Sequence, residues 1–258
     1  MLSHFYFAEV PIFLTIFTGS VRRERVFPLL SIVIKNTNKI EYSLPFLIFL
    51  SFLVFIVPII NGQSFHLDAE LLNKAEQKYG KSARLRLTAW EDLIISDNSK
   101  TDREKLEKVN DFFNQMEYAE DIVHWGQKDY WATPIEFLGT QAGDCEDYTI
   151  AKYFTLKAMG VEDEKLNLTY VKAITYGVHH MVLAYYPMPG GVPLILDNYV
   201  TDIHPATERT DLLPIYSFNG TSLWLAKQRG KGKLAGSSSR LKRWQDVMQK
   251  MSEDNLGT

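Results

Sequence analysis

The chain has 258 residues and carries 28 Lys and Arg against 31 Asp and Glu, for a formal net charge of −3. No basic excess recruits nucleic acid, no acidic block marks a disordered tail, and 46% hydrophobic residues supply enough apolar surface for a core. Cys145 is the single cysteine, so no intramolecular disulfide forms in any compartment and the fold stands on its core.

In chain order, His4–Phe17 and Leu44–Ile60 are apolar, and the second run holds no charge. Lys35, Lys39 and Glu41 precede it, and Asn61-Gly62-Gln63-Ser64 follow. That layout is expected of a secretory leader or a short membrane anchor. Residues 1–62 are therefore assigned to export, cleaved after Gly62 or retained, and 63–258 to one catalytic domain. The apolar run begins late for a signal peptide. Initiation near residues 25–35 would correct this, although no Met lies between Met1 and Met116.

From Leu67 to about Tyr118 the pattern is helical. Leu71, Leu72 and Ala75 share one face, and Leu106, Val109, Phe112, Phe113 and Met116 form a second stripe at spacings of three and four. Thr101-Asp102-Arg103-Glu104 reads as a capped helix start, which leaves Asp92–Asp102 as a polar connection. Pro134 opens a short helix through Ile135 and Leu138. Ile150, Tyr153, Phe154, Lys157 and Ala158 recur at helical spacing and Gly160 ends the run, so Cys145 falls at a helix N-terminus.

Beyond Gly160 the pattern changes to strands over Leu166–Thr175, His180–Tyr186 and Leu194–Tyr199, with a further pair over Ile215–Phe218 and Leu223–Ala226. Gly230–Ser239 reads as a flexible segment and Leu241–Met251 as a terminal amphipathic helix. Helices followed by strands predict an α+β fold rather than an alternating one.

Gly143-Asp144-Cys145-Glu146-Asp147-Tyr148 is the most specific local string. Unpaired N–H groups and the positive end of the macrodipole at a helix start push a thiol toward thiolate, the nucleophilic form. Three adjacent carboxylates oppose this, and something must neutralise them. A base has to come from elsewhere in the chain. His180 opens the strand Met181-Val182-Leu183, whereas His179 is placed in the preceding loop. Asp197 ends the strand Leu194-Ile195-Leu196 and would orient the imidazole. Singly, a buried Cys, a strand-edge His and a strand-end Asp are common structural residues; in combination they form a Cys145, His180, Asp197 triad. The Cys145 backbone N–H would meet the oxyanion, with Trp131 or Gln141 as candidate second donors. His66, His124 and His204 read as surface or loop residues.

The strings at 143–153 (GDCEDYTIAKY), 168–173 (LTYVKA), 180–186 (HMVLAYY) and 194–198 (LILDN) resemble the bacterial transglutaminase-like cysteine proteinases of the LapG type, over roughly residues 65–230. The resemblance implies a papain-like, transglutaminase-like peptidase whose nucleophile-bearing helix packs on an antiparallel sheet. It also implies a periplasmic endopeptidase that clips the N-terminal region of a large surface adhesin at a di-alanine site and frees cells from a biofilm. An inner-membrane receptor for cyclic di-GMP sequesters proteases of this family. The family uses Ca2+ beside the nucleophile: Asp144 and Glu146 match its acidic ligand positions, and Asp147 is a further candidate. Capping of the helix start is the alternative role for these acids. Acyl transfer to an amine, and a non-catalytic envelope binding domain, are the alternative functions.

Overall fold

The computed structural model describes residues 65–96, 100–225 and 232–254. By internal contacts the chain divides into Met1–Ile60 and Asn61–Thr258, and every described residue belongs to the second unit. The expected leader lies outside the described residues. Among these, no helix is long and apolar enough to cross a membrane.

Helix α1, Ala69–Tyr79, starts where the Asp68 carboxylate accepts the Leu71 N–H and stops at Gly80, whose φ of 91° is open to glycine. Helix α2, Lys81–Ser96, buries Ala83, Leu87, Trp90 and Ile94. Ile94 continues the stripe from Trp90, so the helix runs through Asp92–Ser96, where a loop was expected. Helix α3, Asp102–Phe113, has the expected capping box between Thr101 and Glu104 and buries Leu106, Val109 and Phe113.

Strand β1, Glu117–Tyr118, is followed by helix α4, Asp121–His124, and helix α5, Pro134–Thr140. Thr133 and Glu136 form a second capping box around the first turn of α5. Strand β2, Ala142–Gly143, pairs parallel with β1 and delivers the chain into helix α6, Cys145–Ala158.

The sequence gives α6 one apolar face, yet Cys145, Asp147 through Tyr153 and Phe154 through Leu156 are all buried. A helix enclosed on every side is the centre of the fold. Helices α2, α3 and α5 contact it, as do the two central strands of the sheet. Each fully buried Leu, Ile or Phe there contributes about 1.5–3 kcal/mol relative to exposure.

The sheet comprises β3 (Leu166–Ala173), β4 (Val178–Tyr185), β5 (Leu194–Leu196), β6 (His204–Pro205), β7 (Leu212–Phe218), β8 (Ser222–Leu225) and β9 (Lys233–Ser237). Its order is β6-β5-β4-β3-β7-β8-β9, antiparallel throughout. The alternation along β4 divides its side chains. Met181, Leu183 and Tyr185 enter the main core with α6, while Val182 and Ala184 join Val171, Tyr186 and Ile195 in a smaller cluster. Strand β9 replaces part of the flexible segment expected at Gly230–Ser239. Its backbone pairs with β8, Ser222 opposite Ser237 and Leu225 opposite Lys233, and so satisfies an otherwise open edge. Helix α7, Lys242–Glu253, buries Trp244, Val247 and Met251, with Trp244 stacked on Phe154 at 5.5 Å.

Gly143 is the tightest point before α6. A Cβ there would run into the Asp147 carboxylate and stand 2.9 Å from Phe137 Cδ2. Gly143→Ala is expected to cost about 2 kcal/mol through overpacking, seen as a Tm lower by ~4–8 °C in thermal melts.

Candidate active site

Cys145 is the first residue of α6, and Asp144 precedes it as the cap, its carboxylate accepting the Glu146 N–H at 3.3 Å. Asp147 closes the box by accepting the Asp144 N–H at 3.3 Å, and its other oxygen takes the Ala132 N–H at 2.7 Å. Two roles thus meet in these acids, capping and charge. Thr149 fastens the helix to β4, with Oγ1 lying 2.8 Å from Cys145 O and 3.0 Å from Met181 O.

The Cys145 side chain is buried, and Sγ donates to Glu146 Oε2 at 2.8 Å. Burial pushes the thiol up, and the Glu146 and Asp144 charges add to this, whereas the Met181 backbone works in the opposite direction. Met181 directly follows His180, which places the sulfur beside the strand that carries His180.

His180 is fully buried. Its Nε2 lies 2.7 Å from Asp197 Oδ1, and its Nδ1 is buried with no hydrogen-bond partner among the described residues. A proton on Nε2, held by the carboxylate, leaves the Nδ1 lone pair free to act as a base. The Tyr199 ring stacks on the imidazole at 4.2 Å. His179, expected in a loop, belongs to β4 and stacks on Tyr170 at 5.3 Å. A β-strand extends two residues before His180 because Val178 and His179 pair with Ala173 and Lys172.

Asp197 follows β5 directly. Its Oδ1 also accepts the Tyr199 N–H at 2.9 Å, and its Oδ2 accepts Arg209 Nη2 at 2.7 Å. Arg209 is itself oriented by Asp211, at 2.9 Å through Nε and 2.8 Å through Nη2. Burial opposes ionisation of Asp197, but His180, the Tyr199 N–H and Arg209 outweigh it and hold the carboxyl at about 2. Asp197 is thus a fixed anion with both oxygens engaged. Arg209 had no sequence signal, since an arginine in an irregular segment reads as surface.

The structure therefore brings His180 and Asp197 together and sets Cys145 against the Met181 backbone, with the thiol hydrogen-bonded to Glu146 rather than to the imidazole. Both upstream candidates for an oxyanion donor have polar partners elsewhere. The only N–H of the Trp131 ring is taken by Asp129 Oδ1 at 3.1 Å. Gln141 caps the end of α5, with its N–H on Phe137 O and Oε1 on Arg86. His66 pairs with Glu91 and His204 with Glu208. His124 departs from the surface reading: its Nε2 is buried and its ring packs edge-on against Trp125.

Carboxylates converge on the same helix start in two overlapping groups. Asp144, Cys145 and Glu146 form one, and Asp121, Asp144 and Asp147 the other, each with ligand atoms within 4.8 Å of one another. The expected set of Asp144, Glu146 and Asp147 is thus divided between the two groups, with Asp144 shared. Asp121, from α4, is the member that sequence reasoning missed. Its Oδ1 is buried and unpartnered, while Oδ2 accepts the Tyr130 N–H.

Burial, then the Glu146, Asp147 and Asp121 charges, push Asp144 up to about 10. Burial likewise raises Asp121 to about 6, and Asp147 well above its ordinary value. Apart from the Cys145 thiol the donors are all carboxylate oxygens, and with one buried oxygen orphaned and negative charge in excess, the site suits a hard divalent cation. Beside Glu146 opens a cavity of about 340 Å³ lined by Trp131, Tyr170, Tyr216 and Arg243 among others.

Residues 89–225 match the model of the bacterial transglutaminase-like cysteine proteinase family, BTLCP. The chain belongs to this family. Among solved structures, EGTA-treated Legionella pneumophila LapG is 44% identical, with a TM-score of 0.63 over 70% of this chain and 96% of that one. Calcium-bound Legionella pneumophila LapG is 45% identical, with a TM-score of 0.61 over 70% of this chain and 98% of the other. No curated protein matches the chain. The family and these neighbours establish a transglutaminase-like cysteine peptidase with an α+β, papain-like fold, as the sequence resemblance implied.

The acidic cluster sets a pH dependence of stability. Asp121 moves from 3.8 to about 6 on folding, so the folded state binds its proton more tightly and loses stability as pH rises between those values. Asp144 acts in the same direction. Lys152, lowered to about 7, is protonated in both states through that window. With chelator present, the Tm at about pH 6.5 is expected to lie ~2–4 °C below that at about pH 4.5; a Tm that rises over this interval would contradict the cluster's charge state.

Proposed function

We propose that the chain is a calcium-dependent periplasmic cysteine endopeptidase that cleaves the N-terminal region of a large surface adhesin and so controls release from a biofilm. The chemistry rests on one observation above others: a buried imidazole, oriented by a carboxylate at 2.7 Å, with its second nitrogen unspent, on the strand against which the nucleophile helix packs. A cysteine peptidase with a single cysteine has no thiol other than Cys145 to use.

In this reading the Cys145 thiolate attacks the scissile carbonyl, and His180 Nδ1 takes the thiol proton and returns it to the leaving amine. Water then hydrolyses the thioester with the same nitrogen as base. Asp197 holds the ring and stabilises the imidazolium without taking the proton, consistent with its strongly depressed pKa. The Cys145 backbone N–H, first in the helix, faces the developing oxyanion.

Asp121, Asp144, Glu146 and Asp147 would hold the calcium ion, which supplies the positive charge that this cluster lacks. Glu146 then serves the cation rather than the thiol, leaving Cys145 free for His180. Solved Legionella pneumophila LapG includes calcium-bound and EGTA-treated forms, which supports the choice of metal. The adhesin substrate, the periplasmic location and sequestration by an inner-membrane cyclic di-GMP receptor are carried by the LapG-type resemblance.

A purified adhesin N-terminal fragment from the same bacterium tests the proposal. Wild type with calcium is expected to cut it once. Cys145→Ala and His180→Ala should each lose ~10³-fold or more, and excess chelator should abolish the cut reversibly. Incorporation of a labelled amine into the fragment in place of cleavage would assign acyl transfer instead.

A further inference from the structure

Lys152 lies in the middle of α6, two turns beyond Cys145, and is 1% exposed. Its Nζ donates to Asn110 Oδ1 at 2.8 Å, Asn114 Oδ1 at 2.7 Å and Asp197 O at 3.1 Å. The three donors of the ammonium are therefore all used, and each bond leaves α6 for another part of the fold.

Both asparagines turn their amide groups to the same segment. Asn114 Nδ2 donates to Asp197 O at 3.0 Å, and Asn110 Nδ2 to Thr201 O at 2.5 Å. Asp197 to Thr201 form no regular structure, because β5 ends at Leu196. Two residues of this short segment hold His180: Asp197 by its carboxylate and Tyr199 by its stacked ring. The position of the base thus depends on a segment whose backbone is gripped by one lysine and two asparagines.

We infer that Lys152 is a positioning residue for peptide cleavage, its buried ammonium locking the Asp197–Thr201 segment, and through it His180, onto the helix that carries Cys145. The inference rests on the triad reading above and adds a residue that touches neither substrate nor the reacting atoms. An ammonium is a costly choice for packing, since burial pulls Lys152 down to about 7 with only the Asp197 charge opposing it. A methionine would fill the same space without that cost. What the methionine cannot do is cross-link α6, α3 and the acid-bearing segment.

The test is Lys152→Met in the calcium-loaded protein, assayed on the adhesin N-terminal fragment beside His180→Ala. Expected is a kcat lower by about 10–100-fold with KM within ~2-fold. The proton between His180 Nε2 and Asp197 Oδ1, assigned in the NMR spectrum by its loss in His180→Ala, should shift or broaden in Lys152→Met. A folded Lys152→Met with wild-type kcat and an unmoved proton signal would overturn the inference.

If Lys152→Met does not fold, Asn114→Ala decides, since it removes one acceptor of the ammonium and one donor to Asp197 O at the end of α3. A fall in kcat at constant KM supports the tether, and wild-type kcat refutes it. Should His180→Ala keep wild-type activity, the triad reading fails, and the tether with it. An inactive His180→Ala beside an unaffected Lys152→Met removes the tether alone.

Discussion

A buried crowd of carboxylates around one thiol is the constraint from which the rest of the site follows. The N-terminus of α6 offers Cys145 unpaired N–H groups and a positive dipole, worth up to ~2 kcal/mol in a partly buried setting. Asp144 and Glu146 oppose it from beside the thiol, and Asp121 and Asp147 crowd Asp144 from the other side. The outcome in the structure is a protonated thiol that donates to Glu146, and carboxyls whose pKa values are driven upward. In the proposed reading, the helix start that should activate Cys145 would hold it in reserve until that charge is met. A cation at these oxygens would relieve the conflict and free the thiol in one event, which links the proposed calcium dependence to the geometry of the chain.

At the other pole of the site the electrostatics are reversed. Asp197 is as deeply buried as its acidic counterparts, yet its carboxyl is depressed to about 2 because every lone pair that matters has a donor. Arg209, His180 and the Tyr199 N–H hold the side chain, while Lys152 and Asn114 hold the main-chain carbonyl. Asp197 is held in its charged form, whereas burial pushes Asp121, Asp144 and Asp147 toward their neutral forms. Helix α6 spans both poles, with Asp144, Glu146 and Asp147 at its start and Lys152 two turns on, so one buried helix ties Cys145 and Asp197 together.

Much of this was legible in the sequence because it depends on local rules. The capping box at Thr101 and Glu104, Pro134 at the start of α5, and Asp144 ahead of a periodic run each place a helix start within a residue or two. The apolar run Leu194-Ile195-Leu196 followed by Asp197 marked β5 and the acid after it, although the strand stops at Leu196 rather than at Tyr199. The misses share a different origin: they depend on contacts between distant residues. Asp121 joins the acidic cluster only because the β1–β2 pairing brings α4 to the start of α6. Arg209 and Lys152 carry no mark of burial in the sequence, yet the packed elements around them leave both buried. Strand β9 exists because β8 offers an edge, although its Gly/Ser/Lys composition argues for a loop.

The single cysteine permits a clean measurement of the thiol itself. The rate of Cys145 alkylation by iodoacetamide, followed by mass across a pH series with calcium and again with chelator, reports thiolate formation independently of any substrate. The account predicts an inflection at least ~1 pH unit lower with calcium. Coincident profiles in the two conditions would contradict it, because the acidic cluster would then not control the nucleophile.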